Sequence, residues 1–293
     1  MNKQFLVTVS NDYDHLTGVE FICSFFKQFS EHQITLLHIS RLDAVDMNKT
    51  LMKMWDKPQE GVTGNLTIGA RKALDKSISL LSKSNMSIDH MITKTFPERY
   101  GKIKDILNEG TSGLYDAIVL GKRASYTLQW FFERPADETA KAIIEDSSLS
   151  SPLWICPVPE TGRRHVLVCV DGSEGSLRAV DHVGYILSAQ DQHSITLFHV
   201  ENGAGLDSAA IFQKSTRILH THNIGNERIR QDTTWGLNVA GTITGYAEKS
   251  GFAAIAVGLE GIDQGILKRM NLAGGTTVGL IERAEKISLW CCP

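Results

Sequence analysis

Residues 34–39 read ITLLHI and residues 195–200 read ITLFHV, and the same offset of 161 relates LVTVSN at 6–11 to LVCVDG at 167–172. Constant spacing over both pairs means that a β-α-β unit occurs twice without net insertion. Two further pairs continue the register. DAIVLG at 116–121 matches AAIAVG at 253–258 with offset 137, and PLWICP at 152–157 matches SLWCCP at 288–293 with offset 136. The fall from 161 to 137 makes the second copy 24 residues shorter between its second and fourth strands. Four blocks in the same order establish a duplication, with copies over 1–158 and 163–293 joined by the polar stretch PVPETGRR at 157–164.

Within each copy, short β-rich runs alternate with helical periodicity, the pattern of a parallel sheet covered by helices. The first copy predicts strands over 5–9, 34–39, 88–92, 117–120 and 153–156, and helices near 68–81, 102–108 and beyond Pro135. Val19, Ile22, Phe25, Phe26 and Phe29 recur at helical spacing and form the apolar face of the helix between its first two strands. The second copy predicts strands over 228–233, 254–257 and 287–291 after the two quoted above, and helices over 209–220, 237–249 and 278–284. Val180, Val183 and Leu187 repeat the first helix's apolar face. The expected fold is therefore α/β: two tandem doubly wound domains, each a five-stranded, mostly parallel sheet with helices on both faces. The last strands, PLWICP and SLWCCP, are too apolar to stand as bare edges, so an internal pseudo-dimer with approximate two-fold symmetry is expected.

The 293 residues, 42% hydrophobic and 22% charged, are those of an ordinary globular protein. A net charge of -3 gives no general attraction to nucleic acid or anionic lipid, and no apolar run is long enough for a membrane span. Cys23, Cys156, Cys169, Cys291 and Cys292 are odd in number and lie mostly in apolar runs, as free thiols of a reducing cytoplasm would. The adjacent Cys291 and Cys292 fit no common zinc spacing.

Asp171 stands just past the carboxyl end of the second copy's first strand, the edge at which open α/β sheets bind ligands. There it can accept from an exocyclic amine such as that of adenine, or simply turn the chain while Ser173 caps the next helix. Gly258 and Gly261 follow the fourth strand, and Gly274, Gly275 and Thr276 open the next helix, where free N–H groups favour phosphate. That loop contains neither GxxxxGK[ST] nor GxGxxG, and can equally be a flexible loop ended by a Thr cap. His38 and His199 occupy one place in both copies, which suits a structural role. His220 and His222 point to different helix faces, and Trp130, Phe131 and Phe132 form an apolar loop cluster.

VDGSEGSLRAVDHV at 170–183, the ITLFHV strand and the glycine loop together resemble the universal stress protein family over essentially the whole chain, taken as two copies. The resemblance implies a non-catalytic stress-response sensor or binding protein, with ATP or another adenine nucleotide as its ligand. It maps the site onto Asp171, Val200, Gly258, Gly261, Gly274, Gly275 and Thr276. Gly261 is followed by 12 residues before Gly274, against nine in the family's pattern. The first copy departs further: Ser10 replaces Asp171, and Ala124, Asp137 and Glu138 replace Gly261, Gly274 and Gly275. Two carboxylates in the polyphosphate position would repel it, so nucleotide is expected in the second copy alone. The alternative is a stress protein that takes an apolar ligand or protein partner through the first copy. Its insertion, with Leu51, Met52, Met54 and Trp55, would cover or rebuild that cleft, or else form a surface excursion folded back on its own helix.

Overall fold

A computed structural model describes residues 2–27, 30–40, 66–121, 151–259 and 276–293. The first half runs β1 (Gln4–Thr8), α1 (Thr17–Phe25), β2 (Gln33–Ser40), α2 (Ile68–Lys83), β3 (Met91–Pro97), α3 (Lys102–Ser112), β4 (Ala117–Gly121) and β5 (Leu153–Cys156). The second runs β6 (Arg164–Cys169), α4 (Glu174–Leu187), β7 (Ile195–Glu201), α5 (Ser208–Thr221), β8 (Ile229–Trp235), α6 (Val239–Lys249), β9 (Phe252–Gly258), α7 (Thr276–Arg283) and β10 (Ser288–Cys292). The insertion at 41–65, the helix expected beyond Pro135, Phe29 and the Trp130–Phe132 cluster lie outside the described residues.

Among the described residues the strands form one ten-stranded sheet in the order β3-β2-β1-β4-β5-β10-β9-β6-β7-β8. The order of equivalents is the same from either edge. Pairing is parallel within each half, and only β5 and β10 run antiparallel. Helices α1, α2, α4 and α5 cover one face through Val19, Ile22, Leu74, Val180, Val183 and Ile211. Helices α3, α6 and α7 cover the other through Ile106, Ile243 and Leu280. The α/β doubly wound class is thus what the alternating pattern dictates.

The third strand of the first half starts later than the sequence pattern suggests. Ile88–His90 is a 3-10 turn capped by the Ser87 side chain, and Met91 begins β3. Asn226–Arg228 is the equivalent turn before β8. The apolar Ile88 belongs to that turn and is exposed, which is why an apolar count alone misplaces the strand. Asn85 (φ 65°) and Asn223 (φ 60°) end the preceding helices in the left-handed region that asparagine tolerates better than most residues.

At the β5–β10 seam Trp154 stands opposite Trp290, their rings parallel within 1° and 3.9 Å apart. Trp154 Nε1 donates to His182 Nε2 at 3.1 Å, and Trp290 Nε1 donates to Ser288 Oγ at 3.2 Å. An indole only donates, so His182 must present an unprotonated nitrogen. Burial supplies that by lowering its pKa to about 3. His32 and His193 are also buried and each falls to about 4 through the same cause. His193 stacks on Phe25 of the other half at 4.1 Å, and its Nε2 faces the Phe25 carbonyl at 2.8 Å. Lys3, 1% exposed, places Nζ 3.0 Å over the Tyr185 ring across the same seam, and desolvation lowers its pKa to about 8.

These shifts predict acid sensitivity. Each histidine has a folded pKa below that of the unfolded chain, so the stability it secures above about pH 6.5 is lost as pH falls towards 4 and 3. Urea unfolding between about pH 7.5 and about pH 5 should lose roughly 2 kcal/mol for each such histidine. His182→Gln, which keeps an acceptor for Trp154, should lose less than the parent chain. Identical pH dependence in the two proteins would remove His182 from the seam's acid response.

Candidate functional site

The carboxyl ends of β6 and β9 are neighbours, and their following helices, α4 and α7, leave on opposite faces. Such a switch point opens a crevice outside the strand ends. Asp171 sits on its β6 side, in a turn completed by Gly172 at φ +83°. Asp171 Oδ1 accepts from Ser173 N at 2.9 Å and from Ser173 Oγ, while Ser173 caps α4 by accepting from Ser176 N at 3.2 Å. The turn-and-cap role is therefore present. It engages the carboxylate through Oδ1.

Gly258 closes β9, and its spacing to α4 explains why glycine stands there. A Cβ would lie 2.2 Å from the Gly175 carbonyl carbon and 2.6 Å from Ser176 N. The glycine first lets a helix start rest on a strand end. Val200, the last buried residue of β7, turns its side chain to the core on the face that α6 covers. Thr276 is the exposed first residue of α7. Gly261, Gly274 and Gly275 lie outside the described residues.

The first half is built differently at the matching turn. Ser10 Oγ accepts from Asp12 N at 3.2 Å, and Asp12 pairs with His15 at 3.0 Å. Its helix α1 starts only at Thr17, after an N-cap Leu16 that makes no side-chain bond. The residue equivalent to Glu174, the first of α4, is Tyr13, so about one helical turn is missing. Ala124, Asp137 and Glu138 lie outside the described residues.

His38 Nδ1 meets the Val9 carbonyl at 2.8 Å and His199 Nδ1 meets the Val170 carbonyl at 2.7 Å, the same strand-tying bond in both halves. His220 pairs with Asn226 Oδ1 at 2.9 Å and His222 with Asp181 Oδ1 at 2.7 Å, so the two serve separate contacts. Cys156 and Cys291 are pushed up to about 12 by burial, which keeps them as thiols. Among the described residues no cluster of three or more histidine, cysteine or acidic side chains could hold a metal, and no helix is long and apolar enough to cross a membrane. One feature escapes the sequence reading: a cavity of about 380 Å³ beside the ends of β7 and β8, walled by Glu201 and Trp235.

No protein-family model matches the sequence, and no curated protein matches it. Solved structures do. A universal stress protein from Archaeoglobus fulgidus is 16% identical, covers 98% of this chain and 95% of its own, and superposes with a TM-score of 0.59. The chain has the universal stress protein fold. Other matches cover about half of it. A universal stress protein in complex with cAMP is 22% identical over 45% of this chain and 97% of its own, with a TM-score of 0.37. One from Lactobacillus plantarum is 16% identical over 46% and 100%, with a TM-score of 0.32.

The Gly258 contact makes a prediction about stability. Gly258→Ala should cost about 1–3 kcal/mol in urea unfolding, because backbone rather than a side-chain tip must move. Gly245→Ala, in α6 with nothing within 4 Å, should be neutral or stabilising by about 0.5–1 kcal/mol. Equal effects at the two glycines would show that α4 does not rest on β9 as described.

Proposed function

We propose that this chain is a tandem universal stress protein, with domains over 1–158 and 163–293, acting as a non-catalytic stress-response binding protein of the cytoplasm. Its second half takes ATP or another adenine nucleotide, and its first half serves as scaffold. The observation that carries this reading is the Asp171 carboxylate at the β6/β9 switch point, with Oδ1 held by Ser173. A carboxylate oxygen fixed in this way suits the exocyclic amine of adenine. The start of α7 at the exposed Thr276 suits an anion, because helix N-termini present unpaired N–H groups. Ser10 offers no carboxylate at the equivalent place.

Isothermal titration with ATP should give one site per chain. Asp171→Ala should weaken binding by about tenfold or more, the usual effect of losing a hydrogen bond to a charged group. Ser10→Ala should leave the affinity unchanged. Equal losses from the two substitutions would contradict the asymmetry, and absence of any ATP binding would contradict the nucleotide reading.

A further inference from the structure

Glu201 and Trp235 stand in register at the ends of β7 and β8. Paired residues of neighbouring strands project from one face, and the strands lie about 4.8 Å apart, so carboxylate and indole rise side by side. Alternation fixes which face. Ile195 and Leu197 enter the core under α4 and α5, so His199 and Glu201 point to that side, while Phe198 and Val200 point to the other. The chain beyond β7 then curls over the strand ends through residues 202–206. Gly203 (φ +89°) and Gly205 (φ +68°) adopt the left-handed backbone this path requires. Asn202 Oδ1 accepts from Ala204 N at 3.2 Å and fixes the loop's first turn. The result is a cavity of about 380 Å³ between this loop, His199, Glu201 and Trp235.

The lining selects by charge. Glu201 is acceptor-only when ionised. His199 is 4% exposed, and its Nδ1 meets the Val170 carbonyl, which can only accept. The ring proton is therefore on Nδ1, and neutral His199 has only an acceptor, Nε2, left to offer. Trp235 is 65% exposed and supplies a π-face, the ring type that attracts cations best. Among the described residues no lysine or arginine lines the cavity. A phosphate or carboxylate would meet Glu201 without a countercharge, and an apolar guest would desolvate that carboxylate without compensation. An ammonium or guanidinium group satisfies both walls at once, and the volume accommodates a ligand of modest size.

We propose that this cavity is a binding site for a small organic cation carrying a primary ammonium or guanidinium group. The cation lies against Trp235 and is charge-paired with Glu201, with His199 Nε2 as a second acceptor. The site uses the face of β7 opposite to the Val200 side chain.

Butylguanidinium and its neutral isostere butylurea test the proposal on the full chain labelled with ¹⁵N at the tryptophan indoles. The Trp235 resonance is assigned by its loss in Trp235→Phe. Butylguanidinium should move that resonance saturably, and butylurea should bind at least about tenfold more weakly. Glu201→Gln keeps the size of an exposed side chain, so the fold is retained, and it should weaken butylguanidinium by about tenfold. Glu174→Gln, an exposed charge on α4, should change nothing. An unmoved Trp235 resonance, equal binding of the two isosteres, or an undiminished affinity in Glu201→Gln would each overturn the assignment.

Discussion

The antiparallel pairing of β5 with β10 is the contact on which the rest of the architecture depends. Among the described residues it joins two five-stranded parallel sheets, each ending in an apolar strand, into one sheet with β3 and β8 as its outermost strands. Leu153, Trp154, Ile155 and Leu289, Trp290, Cys291 are all buried there, the two indoles fully so. Left unpaired, either strand would present an unprotected apolar edge, which folded proteins avoid. Because the pairing is antiparallel, it imposes a local two-fold. Across the seam Phe25 meets His193, and Lys3 meets Tyr185.

The strand order recurs in both halves, and the halves differ in local detail. The strand-tying bonds of His38 and His199 are kept in both halves, since a strand end needs fixing whether or not a ligand sits beside it. The turn after the first strand is not kept. Asp171, Gly172 and Ser173 start α4 with a capped turn, whereas Ser10, Asn11 and Asp12 lead into a helix that begins later and without a side-chain cap. At the seam itself, Trp154 finds a histidine acceptor and Trp290 a serine hydroxyl, so even the stacked pair is chemically unequal.

Much of this was legible in the residues, for physical reasons. Buried parallel strands are continuous apolar runs, and the repeat fixed their order, so β1, β2, β4 and β5 with their equivalents lie close to where the pattern puts them. The edge strand β3 was less legible because Ile92 and Thr93 are exposed and apolar patterning has no core to report. Asp171 could be placed at the sheet's carboxyl edge from its position after a strand. The cavity beside Trp235 could not be found in this way, since it depends on the register between β7 and β8 and on the path of the 202–206 loop. Lys3 was equally opaque: nothing in MNKQF marks a lysine that ends over an aromatic ring in the interior.

Native-state hydrogen exchange of the β5 and β10 amides tests the seam most directly. If β5 and β10 unite the halves in one cooperative sheet, the amides of Trp154, Ile155, Leu289 and Trp290 should exchange only through the largest opening of the molecule, together with the central strands β1 and β6. Exchange of these seam amides at markedly lower free energy, while β1 and β6 stay protected, would contradict the account. It would mean that the halves part before either unfolds.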